Sequence, residues 1–144
     1  MEIKIEFEGY VSLNQVYSSP HWSVRSKLKK QWRSKWLNLL TDSFGMNKDD
    51  LIAHFKSLNV KSVELELSVN NRLDVDNNVM AAKFLMDLLQ SPTEKTKPED
   101  TKLCLIESDS PKHYTRLEIK ADPSLPRGAG VATLKIIEND PKLF

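Results

Sequence analysis

Over residues 2–8 (EIKIEFE) apolar and polar residues alternate with period two, placing Ile3, Ile5 and Phe7 on one side and charges on the other. That is the pattern of a half-buried strand. GYVSLNQVYSSP reads as irregular. In HWSVRSKLKKQWRSKWLNLLTDSF the period becomes helical: Leu28, Trp32, Trp36 and Leu39 recur at i, i+4, i+8 and i+11, and Leu40 widens the stripe. Gly45 supplies a stop, and KDDLIAHFKSL predicts a second, shorter helix. Period two returns in VKSVELELSVN, with Val63, Leu65, Leu67 and Val69 on one face. From about Asn77 the period is helical again, and NVMAAKFLMDLLQ is apolar nearly all round, which predicts a buried helix. A polar loop with two prolines, SPTEKTKPED, leads to two predicted neighbouring strands, TKLCLIES and YTRLEIKA, and ATLKII offers one more. The order β–α–(α)–β–α–β–β predicts an α/β fold, a mixed sheet with helices packed on it.

Charge changes this picture locally. The net charge is only +1, yet residues 25–35 hold six basic residues and no acid. Arg25, Lys29 and Arg33 repeat every four residues along the predicted helix, with Lys27 and Lys30 between them. A local basic patch on a near-neutral chain points to a phosphate partner; a solvated helix face is the alternative. His21, just ahead, can meet a phosphate or make a contact at the helix start. Trp32 and Trp36 belong to the apolar stripe, so packing is expected of them rather than base stacking. The one cysteine, Cys104, sits in an apolar run and has no internal partner, which predicts a buried thiol and a reducing compartment. No signal-peptide pattern and no run of membrane-span length is present, so a cytosolic protein without a membrane partner is expected.

The candidate chemistry lies in NRLDVDNNVMAAKFLMDLL. Asp74 and Asp76 stand one residue apart where the strand pattern gives way to the helical one. On a strand end they share a face, and two carboxylates facing one space raise each other's pKa unless a cation joins them. Mg²⁺, which takes one or two carboxylates and completes its shell with water and phosphate oxygens, is the simplest such partner. Helix capping by Asp76 or Asn77 accounts for one acid but not for Asp74, for which an ordinary solvated loop residue is the alternative. Asp76, Lys83, Asp87 and Gln90 make one polar stripe on the otherwise apolar helix. Lys83 there can steady a phosphate or a leaving oxygen, or pair with Asp87. Glu99 and Asp100 can supply a third carboxylate if the strand after them lies beside the one leading to Asp74.

These residues resemble the RusA family of Holliday junction resolvases, small endonucleases of bacteria and their phages. The resemblance rests on RLDVDNNVMAAKFLMDLL followed by PED and an apolar run. VSLNQVYSSPHW, similar to a Ser-x-Asn-x-x-Tyr stretch, and the closing YTRLEIK add to it. It covers roughly residues 1–120. It implies a RusA-like nuclease domain over residues 1–121, with residues 122–144 as a C-terminal extension carrying a possible extra strand. It also implies a mixed α/β homodimer that binds branched DNA at four-way junctions and cuts paired strands with Mg²⁺. Carried over, Asp74, Asp76 and Asp100 are metal ligands, and Lys83 is the helix lysine that helps catalysis. Arg25, Lys27, Lys29, Lys30 and Arg33 would bind DNA. Two departures stand out. Lys83 matches only with about one extra helical turn, Met80 taking its place otherwise. The acidic pair is Glu-Asp after a loop without glycine, so Glu99 can replace Asp100. For the dimer, VATLKII and the tryptophan-bearing helix are expected to offer more apolar surface than one small core needs.

Overall fold

The computed structural model describes residues 1–17 and 22–140. Its elements are β1 (Glu2–Glu8), α1 (Leu13–Tyr17), α2 (Trp22–Phe44), α3 (Lys48–Ser57), β2 (Val60–Val69), a 3₁₀ turn (Val75–Asn78), α4 (Val79–Leu89), β3 (Tyr114–Ala121) and β4 (Ala129–Glu138). The strands form one four-stranded mixed sheet in the order β1-β4-β2-β3. β4 runs antiparallel to both β1 and β2, and β3 lies parallel to β2. The chain is thus mixed α/β.

The alternation read in the sequence sets which sheet face is buried. Ile5 and Phe7, Val63, Leu65, Leu67 and Val69, and Ala132, Leu134 and Ile136 all enter one core together with α2 and α4. Residues on the other face, among them Lys4, Glu6, Glu66 and Lys120, stay at least partly in solvent, with Lys120 and Glu66 paired at 2.8 Å. Phe7 lies across Gly130 of β4, where any Cβ would stand 2.4 Å from the ring. That close approach lets the ring reach Trp36 at 4.9 Å between centroids and Trp32 at 6.3 Å. Trp36 is fully buried and donates its indole N–H to the Ala81 carbonyl at 3.0 Å, tying α2 to α4.

Helix ends follow their cap residues. Gly45, at φ +63°, closes α2: its N–H reaches the Asp42 carbonyl and that of Met46 the Thr41 carbonyl, the paired bonds of a left-handed glycine cap. Asn47 begins α3 by accepting the Asp50 N–H at 2.8 Å. Among the described residues no helix is long and apolar enough to cross a membrane.

Several expectations change. LNQVY, read as irregular, is the short helix α1. Its start is a reciprocal box, Ser12 Oγ accepting from Gln15 N–H and Gln15 Oε1 from Ser12 N–H. TKLCLIES is not a strand of the sheet. Leu103, Leu105 and Ile106 are buried, but their N–H groups satisfy carbonyls at the end of α4, Leu88 and Leu89. A single bridge, Gln90 with Ile106, is its only ladder contact. Cys104 sits at φ +62° and is half-buried rather than a core thiol. Finally, the strand expected as an addition beyond residue 121 is β4, between β1 and β2. Its Ala132, Leu134 and Ile136, like Trp32 and Trp36, are used by the chain's own core, whereas Ile137 and Trp22 stay exposed.

Candidate metal and nucleic-acid surface

β2 ends at Val69, and the next residues turn sharply. Asn70 donates its N–H to Ala129 and its side-chain amide to the Leu125 carbonyl at 2.6 Å. Asn71 accepts the Leu73 N–H and donates to Asn78 Oδ1 at 2.8 Å. Asn78 is only 2% exposed and returns its amide to the carbonyl of Asp74 at 3.1 Å. Asn78 therefore holds the backbone of Asp74 from the core side, and Asn71 holds Asn78. A buried amide without such partners costs about 1–3 kcal/mol, which is why this pair is satisfied.

Asp74 and Asp76 occupy this turn rather than a strand end. Asp74 is extended, at φ −59° and ψ 151°, and immediately precedes the 3₁₀ turn; Asp76 lies in the turn's first residues. The shared strand face expected of them is not formed. Both side chains are exposed, and among the described residues neither carboxylate has a hydrogen-bond or ion-pair partner. Capping does not account for them, since neither the 3₁₀ turn nor α4 has a side-chain cap bond. Arg72, in the same turn, instead holds the hydroxyl of Tyr10 at 2.6 Å.

Lys83 lies on the exposed side of α4, about 10 Å of helical rise beyond Asp76 at ~1.5 Å per residue. It donates to the Tyr17 hydroxyl at 3.2 Å rather than pairing directly with Asp87. That hydrogen bond, with the fields of Asp87 and Asp109 behind it, holds the ammonium above the ordinary lysine range. Asp109 was not visible as a site residue in the sequence, because only the fold brings its loop near α4. In the sequence Tyr17 is one residue of VSLNQVYSSPHW with no role of its own; the fold brings it to Lys83.

Asp100 does not join the pair. Its carboxylate meets Arg33 Nη1 at 2.9 Å, at the far end of α4. There a pocket of about 310 Å³ is lined by Lys30, Arg33, Leu88, Glu99, Asp100 and Thr101. α4 runs from Val79 to Leu89, so the length of the helix, roughly 15 Å at ~1.5 Å per residue, separates Asp100 from the Asp74 turn. Glu99 lies in the same pocket wall and does not substitute. Among the described residues no group of three or more His, Cys, Asp and Glu is placed to hold a metal.

The basic helix divides in two. Arg25, Lys27 and Lys30 are exposed and Lys29 is half-buried. Arg33 has a side chain only 12% exposed and is held by Asp100, so it is not a free phosphate contact. Lys102, absent from the sequence reading, comes from the loop to meet this end of the helix and donates to the Asp87 carbonyl at 2.9 Å. Burial, then the charges of Arg33 and Lys29, push its ammonium below the usual lysine range. His21 lies outside the described residues.

Comparison with protein-family models finds no match, and comparison with curated proteins finds no similar sequence.

Two exposed carboxylates with no protein partner, both oxygen donors, fit Mg²⁺, whose remaining positions go to water and phosphate oxygens. The donor set is too small for a closed protein cage.

Proposed function

We propose that the protein is a Mg²⁺-dependent, structure-selective DNA endonuclease that resolves four-way junctions. The observation that carries this reading is the state of Asp74 and Asp76. The backbone of Asp74 is held by the buried Asn78, while among the described residues neither carboxylate has a partner and both are exposed. Unpaired acids on a rigid turn are what a cation site requires before the cation arrives. Asp74 and Asp76 would hold the ion, which would supply Lewis-acid stabilisation of charge on the phosphate. Lys83, oriented by Tyr17, supplies a second positive charge along the helix for a phosphate or leaving oxygen. Arg25, Lys27, Lys29 and Lys30 contribute sequence-independent phosphate contacts.

A junction presents two strands to be cut, and each chain carries one acid pair. A C2 dimer meets that demand with two sites. Light scattering is expected to give a dimer at micromolar concentration; a monomer both free and junction-bound moves the reading to flaps or nicked duplex.

One observation favours a second reading, a DNA-binding relative without cleavage. Asp100 is engaged by Arg33, leaving two acids rather than three at the turn. The test is a panel of four-way, flap, nicked and linear DNAs, each with Mg²⁺ and with EDTA. Metal-dependent cutting of the four-way junction supports the first reading. Binding without cutting supports the second.

A further inference from the structure

The three tryptophans all lie on α2 and have opposite fates. Trp32 and Trp36 are 6% and 0% exposed, packed with Phe7, whereas Trp22 is 74% exposed. Its surroundings share that condition. From Trp22 to Gln31 no residue of α2 is fully buried and only Leu28 packs partly against the core, so the start of the helix overhangs it. Tyr17 and Leu13, four apart on α1, are 55% and 36% exposed, and Val24 is 43% exposed. α1 packs against α2, α4 and the 3₁₀ turn that carries the acid pair.

An apolar overhang can serve a second copy, another protein or a nucleic acid, and charge selects among them. Trp22, Arg25 and Lys29 fall at i, i+3 and i+7, on one side of the helix. Lys27 and Lys30 flank them, and no acid occurs from Trp22 to Thr41. A two-fold contact between copies would set this cationic patch against itself, which like-charge repulsion opposes. A polyanion with flat apolar groups satisfies both features at once.

We propose that the α2 overhang, with Tyr17, is a base-stacking platform for unpaired nucleotides next to the acid pair. Trp22 and Tyr17 stack on bases exposed at a branch point, while Arg25, Lys27 and Lys29 hold the flanking phosphates. The inference rests on the nucleic-acid reading above and adds a substrate feature to it: a branch with at least one unstacked base.

The test uses the full chain in EDTA, so that cleavage plays no part. Binding is measured to a four-way junction carrying one unpaired base at the branch and to linear duplex of equal length. Trp22→Ala combined with Tyr17→Ala is expected to weaken binding to the former by about 10-fold or more and to the latter by less than about 2-fold. Trp22→Phe should retain binding while abolishing most of the DNA-dependent fluorescence quenching, because the other two tryptophans are buried. Equal losses on both DNAs, or no loss on either, overturn the proposal. So does a shift from dimer to monomer in Trp22→Ala, which assigns the face to a second copy. A chain that passes this test yet cuts nothing in Mg²⁺ keeps the stacking platform and loses the nuclease.

Discussion

The two ends of α4 carry the same kind of charge and treat it differently. At the N-terminal end, Asp74 and Asp76 are exposed and, among the described residues, unpaired on a turn braced by Asn71 and Asn78. At the C-terminal end, Asp100 is paired with a largely buried Arg33, and Lys102 donates to the carbonyl of Asp87. The first arrangement keeps carboxylates available at the expense of leaving their charge uncompensated. The second uses charge to bind a loop to a helix. Proximity of an acid to a basic helix is therefore a poor guide to function; whether the acid is already satisfied is a better one.

The sharpest way to break this contrast is at the first end. Asp74→Asn and Asp76→Asn are each expected to lower junction cleavage by roughly 100-fold or more, since a bound cation supplies several kcal/mol of charge stabilisation. Thermal denaturation should move little, because neither side chain has a partner to lose. Near-normal turnover at low Mg²⁺ would show that the unpaired acids are ordinary surface residues.

Asp100→Asn should do the reverse. It strips a mostly buried guanidinium of its counter-charge, and a stability loss of roughly 1 kcal/mol is expected, above the range of a fully exposed pair. Cleavage should stay within about 2-fold. Loss of cleavage with unchanged stability would return Asp100 to the metal site and end the distinction between the two ends.

Along α2 the same contrast appears in salt dependence. Neutralising Lys29 and Lys30 together should flatten the slope of log K against log salt for duplex DNA by roughly 0.9 per residue. Arg33→Ala should barely change that slope, because its charge is already taken by Asp100. Equal effects from all three would mean that DNA displaces the carboxylate.

The smallest effect concerns Tyr114, whose buried hydroxyl has no partner and is pushed up to about 12 by burial. Its folded value lies above the unfolded one of 10.0. Its contribution is therefore complete below pH 10 and lost as pH rises towards 12. Tyr114→Phe is expected to change neutral-pH stability by no more than about 1 kcal/mol, in the stabilising direction or not at all. It should also lessen alkaline unfolding, as read by circular dichroism across that range.

Periodicity was enough to find β1, α2, α3, β2, α4 and β4, because each buries a repeating face against the same core; β3 lies at the sheet edge, with only Tyr114 and Ile119 partly packed on that core. It failed where a satisfied backbone came from somewhere other than a ladder. Leu103 and Leu105 alternate like strand residues, yet their N–H groups cap α4, and the left-handed Cys104 between them breaks any extended run. α1 escaped notice because five residues are too few to show a helical repeat. At the site, the aspartate pair was visible in the residues themselves. The 3₁₀ turn that carries it depends on Asn78 bonding back to Asp74, a pattern that spacing does not encode. The separation of Asp100 and the approach of Lys102 depend on tertiary neighbours distant in the chain. So does the place of β4, whose pairing with β1 joins residues from opposite ends.

That last placement has a consequence for synthesis. Among the described residues β1 pairs with nothing but β4, and β2 finds its antiparallel partner there too. During translation at ~5–20 residues per second, β1 must wait on the order of ten seconds for β4 to emerge. Until then the edges of β1 and β2 are open to other chains. The charges alternating along EIKIEFE and VELELS would act in that interval as guards against misassociation. They would protect the nascent chain before they serve the finished sheet.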